Sequence, residues 1–92
     1  DCLTLWLSNL LMRGESDKNI IDEIGSLIKT IKNNQTSFIL VSNEVGMGIV
    51  PADPVSRRFR DLQGMANQKF AEASDILIFM VSGIPMVLKG EL

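Results

Sequence analysis

The residues best suited to chemistry lie in one stretch, Asn43-Glu44-Val45-Gly46-Met47-Gly48-Ile49-Val50-Pro51, where an apolar run gives way to a glycine-bearing loop. Glu44 brings a carboxylate to the exit of that run, and Asn43 brings an amide that also serves to tie down loop backbone. Open parallel sheets bind ligands in the crevice outside the carboxyl ends of their strands. A strand over 37–41 therefore places Asn43 and Glu44 at such a rim. Asp1, if it too ends a strand, converges with Glu44 on a metal-bound nucleotide. An exposed Asp1 and a loop-capping Glu44 fit the spacing equally well.

Arg57, Arg58 and Arg60 follow within about one helical turn, where they suit an anionic ligand together with the free amides of a helix start. The same pattern also describes a solvated, ion-paired face, with Arg57 able to pair with Asp61. Gly64 costs helix stability and points to close packing against a neighbour. Asn67 and Gln68 either recognise a polar ligand or line a wet interface.

Several chemistries are excluded. Gly46-x-Gly48 is not the dinucleotide fingerprint, because the third glycine position is Pro51. No phosphate-cradling G-x-x-x-x-G-K-[ST] occurs, and Lys29-Thr30 falls inside a helical pattern. The chain has no histidine, which removes the commonest metal ligand and the usual proton shuttle. Its one cysteine, Cys2, cannot bridge internally and lies in a run that reads as buried, which fits a reducing, cytoplasmic setting.

These residues need elements to position them. Leu3 to Met12 is apolar on nearly all sides and reads as a short buried helix, closed by Arg13-Gly14-Glu15-Ser16. Ile20, Ile24, Leu27, Ile28 and Ile31 mark one face of a surface helix, with Lys18, Asp22, Glu23, Ser26 and Lys29 opposite. Ser16 or Asp17 caps its start, and Asn33-Asn34 supplies residues tolerant of a left-handed close.

Thr36 to Val41 reads as a strand buried on both faces of a parallel sheet. After the loop from Asn43 to Pro54, Val55, Phe59, Leu62, Ala66, Phe70 and Ala73 form the apolar face of a helix whose first turn suits Pro54. Ile76 to Val81 is a second buried strand, giving a βαβ unit with a right-handed crossover. Ser82-Gly83 turns the chain into a last short strand, Ile84 to Leu88, with Pro85 tolerated at its start or on a sheet edge.

At 92 residues the chain is one domain or part of one, and 46% hydrophobic residues with a net charge of −2 describe an ordinary globular chain. That charge does not favour nucleic acid, and no apolar run approaches the roughly 18 residues that span a bilayer. The chain opens at Asp1 rather than Met, directly before an apolar run, and reads as a piece of a longer one. Two parallel strands cannot cover their own faces and edges, so the expected fold is α/β, open and mostly parallel, with these residues as its C-terminal portion.

Asn43-Glu44-Val45-Gly46-Met47-Gly48-Ile49-Val50-Pro51, followed by Arg57-x-Phe59-Arg60-Asp61-x-x-Gly64-x-x-Asn67-Gln68, resembles the bifunctional adenosylcobinamide kinase and adenosylcobinamide-phosphate guanylyltransferase family of cobalamin assembly. The likeness continues through Ser82-Gly83, and the opening from Asp1 to Leu11 resembles the family's segment after an acidic strand end. It implies a P-loop NTPase, RecA-like domain with flanking helices, whose P-loop half and nucleophilic histidine lie upstream of residues 1–92. It further implies ATP, GTP and magnesium as cofactors, adenosylcobinamide as substrate, and a homotrimer.

Carried over by position, the resemblance gives Asp1 and Glu44 catalytic places, with Asp1 also a magnesium ligand. The family has Glu where this chain has Asp1. Asn43, Gly46, Arg57, Arg60, Asp61, Asn67 and Gln68 take nucleotide- or substrate-binding places. The resemblance implies that these residues alone are inactive as kinase and transferase. The competing reading is a non-catalytic nucleotide-sensing or oligomerisation module that uses the same loop and helix for binding only.

Overall fold

The computed structural model describes residues 2–49 and 51–92; the expected strand end at Asp1 lies outside the described residues. Three helices and a hairpin follow in order: α1 (Leu3–Met12), α2 (Asp17–Lys32), α3 (Pro54–Ala73), β1 (Leu77–Val81) and β2 (Ile84–Lys89). Local signals start α2 and α3 and end α1. Ser16 Oγ accepts from the Asn19 N–H at the start of α2, and Asp53 accepts from the Ser56 N–H ahead of Pro54 at the start of α3. Gly14, at φ +76°, closes α1 with Glu15 N–H donating to Leu10 O and Gly14 N–H to Leu11 O, a Schellman close. Asn33 ends α2 in the right-handed region instead, at φ −83°, and Asn34 Oδ1 accepts from the Thr36 N–H. The left-handed close expected there does not form.

The core is where the helices meet. Leu3, Leu7 and Leu10 of α1 pack on Ile20 and Ile24 of α2 and on Leu62, Ala66 and Phe70 of α3. Trp6 meets Phe70 edge-on, with ring centroids 6.4 Å apart and planes at 78°. The apolar face read for α2 is the one that packs, and Leu27, Ile28 and Ile31 extend the core partly buried. In α1 the expectation of burial on all sides fails: its inward face is covered, while Leu5 and Met12 stand exposed. Cys2, expected buried, is also exposed. Val55, at the start of the face read for α3, is exposed as well.

The sheet corrects the expected topology. β1 forms where the second strand was expected, but it pairs antiparallel with β2 rather than parallel with Thr36–Val41. The cause is local. Ser82 and Gly83, at φ +52° and +76°, make a two-residue turn with both central residues left-handed, the geometry that returns a twisted strand directly on itself. Pro85 sits opposite Met80 in this two-stranded sheet, where both strands are edges. Thr36–Val41 is not a strand among the described residues; Val41 makes an isolated parallel bridge to Cys2, and Phe38, Ile39, Leu40 and Val41 are all exposed. A double-sided buried strand needs flanking strands, and the nearby elements are helices. The βαβ crossover is accordingly absent here.

The hairpin is fastened to the helical part at one end. Lys89 Nζ donates to the carbonyl oxygens of Ala71 (3.1 Å) and Glu72 (2.9 Å), in the last turn of α3. A cation there meets the negative end of the helix dipole and adds a donor to the last carbonyls of the helix. No helix among the described residues is long and apolar enough to cross a membrane.

Candidate active-site loop

Two contacts bring the end of the 36–41 segment to the start of α1. The Leu3 N–H donates to Val41 O at 2.7 Å, and the Asn43 N–H donates to Thr4 Oγ1 at 3.2 Å. The chain then turns along α3, which holds it through three side chains. Ser42 Oγ donates to Asn67 Oδ1 (2.5 Å), and Gln63 Nε2 donates to both of those oxygens at 3.0 Å. Asn67 Nδ2 donates to Asn43 O at 2.8 Å. One turn earlier, Arg60 Nη2 donates to Gly46 O (2.8 Å) and Gly48 O (3.0 Å). The other terminal nitrogen of Arg60, Nη1, is buried with no partner among the described residues.

Glu44 folds the loop from within. Its Oε1 accepts from the Gly46 N–H at 2.6 Å, so the loop-capping role read for Glu44 is present. A Cβ on Gly46 would stand 3.0 Å from that same Oε1, tight enough that the carboxylate would have to give way. Glycine at 46 thus lets the carboxylate close on the backbone. The result is a loop whose Asn43 and Gly46 are fixed through their own backbone groups and whose Glu44 is held by one oxygen.

Beside it runs an open groove of about 670 Å³, lined by Glu44, Val45 and Ile49 of the loop, Leu11 and Met12 of α1, and Val55, Phe59 and Arg60 of α3. Its walls are mainly apolar, with the Glu44 carboxylate and the guanidinium groups of Arg58 and Arg60 among them. Such a lining suits an organic body carrying an anionic or hydroxylic end.

The other residues singled out in the sequence lie elsewhere. Arg57 and Asp61 are exposed and line a smaller hollow of about 300 Å³ with Asp17, Arg58 and Met65. The expected Arg57–Asp61 pair does not form; the ion pairs among the described residues are Lys18–Asp22 and Arg58–Asp17. Arg58 Nε lies 2.7 Å from Asp17 Oδ1 and its Nη2 donates to Glu15 O at 2.8 Å, so the middle arginine fastens α3 to the start of α2. Gln68 is exposed on α3, outside both hollows. Asp1 lies outside the described residues. Gly64 has open space where a Cβ would stand, so the close packing expected of it is not found.

One carboxyl group close by is displaced from its ordinary acidity. Asp53 is held below the usual carboxylate range, first by the Ser56 N–H that it caps, with Arg57 a lesser contributor. Among the described residues no three of His, Cys, Asp and Glu gather as a metal cluster.

Sequence reasoning missed Gln63, gave Ser42 no role, and read Arg58 as an anion ligand where it pairs with Asp17. The signal for Gln63 was present: it falls between Leu62 and Ala66 on the apolar face of α3, a polar residue at a core position.

Residues 1–88 match the family described as cobinamide kinase / cobinamide phosphate guanyltransferase. The chain belongs to this family. Within it, the chain is 43% identical over 91 residues to a bifunctional adenosylcobalamin biosynthesis protein, CobP, of Pseudomonas aeruginosa, covering 99% of this chain and 52% of that protein. It is 40% identical to the bifunctional adenosylcobalamin biosynthesis protein CobU of Salmonella typhimurium, and 38% identical to the CobU of Escherichia coli. Both of those matches cover 97% of this chain and 56% of the relative. This cobinamide kinase family chain thus spans about half the length of the curated relatives it matches.

Proposed function

We propose that the chain is the C-terminal part of a bifunctional enzyme of cobalamin assembly, a single nucleotide-binding α/β domain of P-loop, RecA-like type. In the first step the aminopropanol hydroxyl oxygen of adenosylcobinamide attacks the γ-phosphorus of ATP or GTP. The bond to the bridging oxygen breaks, the nucleoside diphosphate leaves and the hydroxyl proton is lost. In the second, GMP from GTP passes by way of a histidine upstream of these residues to the new phosphate, pyrophosphate leaves, and adenosylcobinamide-GDP results. The observation that carries this reading is the family match over residues 1–88.

The geometry supports it. Loop and groove stand together, with Glu44 and Arg60 at the wall of a mostly apolar channel. In this reading Glu44 orients the attacking hydroxyl or water, while Asn43, Gly46 and Asn67 hold the loop that presents it. Arg57, Arg60, Asp61 and Gln68 contact nucleotide, phosphate or a neighbouring subunit. Phosphoryl transfer uses magnesium to offset charge on the phosphates. Such an ion is commonly held by one or two carboxylates with phosphates and water, which the second oxygen of Glu44, together with Asp1, would fit. The exposed apolar residues of the hairpin, Met80, Val81, Ile84 and Met86 among them, support further covering by the rest of the domain and by subunits of a homotrimer.

The test uses the whole protein and the 92-residue chain side by side. With GTP labelled at the α-phosphate, the whole protein should retain an acid-labile, base-stable label after denaturation, and the short chain should not. With adenosylcobinamide and ATP labelled at the γ-phosphate, the whole protein should yield labelled adenosylcobinamide phosphate. Absence of both products would refute the proposal and favour a binding module.

A further inference from the structure

We infer that Gln63 is a positioning residue that fixes the Ser42–Gly48 loop on α3; its effect on turnover rests on the function proposed above, its effect on the loop does not. Gln63 is fully buried in the apolar face of α3. Its Nε2 donates to Ser42 Oγ and to Asn67 Oδ1, each at 3.0 Å.

The orientation of both amides follows from one neighbour. Asn67 Nδ2 donates to Asn43 O at 2.8 Å, so the oxygen of Asn67 faces Gln63 and needs donors. Gln63 must then turn its nitrogen toward the loop and its oxygen away. That Oε1 is buried with no hydrogen-bond partner among the described residues. A buried acceptor without a donor opposes folding, and a methionine would fill nearly the same volume without leaving one. For packing alone glutamine is the poorer side chain at this position. Its advantage lies in what the amide nitrogen holds, the hydroxyl and amide that anchor the residues next to Glu44.

Removing that nitrogen leaves Asn67 Oδ1 with Ser42 as its one donor and frees the loop to shift. A displacement of about 1 Å at a reacting group lowers turnover by on the order of a hundredfold.

The experiment places Gln63→Met, Ser42→Ala and the pair in the whole protein. Hydrogen–deuterium exchange is followed by peptide, and kcat and KM are measured for phosphorylation of adenosylcobinamide. Faster exchange confined to peptides over 42–48, kcat lower by about tenfold or more and nucleotide KM within about threefold are expected in Gln63→Met. The pair should resemble the Gln63→Met single. Unchanged exchange over 42–48 would overturn the inference, and so would losses that multiply in the pair. Should Gln63→Met exchange fast throughout, Ser42→Ala, at an exposed position, decides by the same local exchange. If the unsubstituted protein shows no kinase turnover, the proposed function fails and exchange alone judges the role of Gln63.

Discussion

Arg60 and Gly46 are joined across a separation of 14 residues by a hydrogen bond of 2.8 Å from Nη2 to the glycine carbonyl. The same nitrogen reaches Gly48 O, so one planar side chain bridges two points of the loop. Both bonds come from one terminal nitrogen of Arg60, and lysine must bring its ammonium to that point on a shorter, flexible stem. Arg60→Lys in the whole protein should lower kcat/KM of the proposed kinase step by about 10- to 100-fold, the equivalent of a charge-assisted hydrogen bond of about 1.5–3 kcal/mol. Steady-state kinetics beside thermal melting check this, with melting expected to change little.

One substitution separates the loop-closing contact of Glu44 from the role proposed for its charge. Glu44→Gln keeps an oxygen to accept from the Gly46 N–H, so the loop should stay closed, while the charge is lost. If Glu44 handles a proton or a cation, kcat should fall by about a hundredfold or more. Activity within about twofold of the parent would reduce Glu44 to a loop cap.

Two glycines at positive φ should respond differently to alanine. At Gly83 there is open space, so Gly83→Ala should cost roughly 1–2 kcal/mol for the left-handed backbone alone. At Gly90 a Cβ would overlap the carbonyl oxygen of Asp75, and backbone cannot swing aside as a side chain can. Gly90→Ala should therefore cost more than Gly83→Ala, since overpacking by itself adds about 1–3 kcal/mol. Urea unfolding of both variants orders them.

The acid limb of stability should carry a contribution from Asp53. Its folded pKa is depressed, so the stability that it lends is present above the pKa of an unfolded aspartate and is lost as pH falls through the folded value. Asp53→Asn keeps a capping oxygen without the titration. Circular dichroism against pH should show a shallower acid dependence in that variant, and equal slopes would remove Asp53 from the account.

Where the fold was legible, the information was local. Ser16 and Pro54 announce their helices, and the isoleucines of α2 recur at the helical period. The order of strands was not legible, because a continuous apolar run such as Thr36–Val41 says that a segment prefers burial and not which neighbour it pairs with. Ser82-Gly83 was read as a turn, yet its consequence, a hairpin in place of a parallel sheet, depends on both residues adopting positive φ.

The loop stands out as a candidate site because an amide, a carboxylate and glycines follow one another. Its clamps could not: the contacts of Gln63, Asn67 and Arg60 join distant positions, and nothing periodic marks a long-range hydrogen bond. The charge pairing of Arg58 with Asp17 is hidden for the same reason, since the two stand on different helices, 41 residues apart.

The exposed segment Thr36-Ser37-Phe38-Ile39-Leu40-Val41 governs how this chain can be handled. The six residues carry no charge, proline or glycine, and Thr36, Phe38, Ile39 and Val41 favour strands, the composition of segments that stack into cross-β fibrils. Preparations of residues 1–92 alone will therefore lose protein to aggregation as concentration and temperature rise. A lysine in place of Ile39, whose side chain is 85% exposed, acts as a gatekeeper against that stacking.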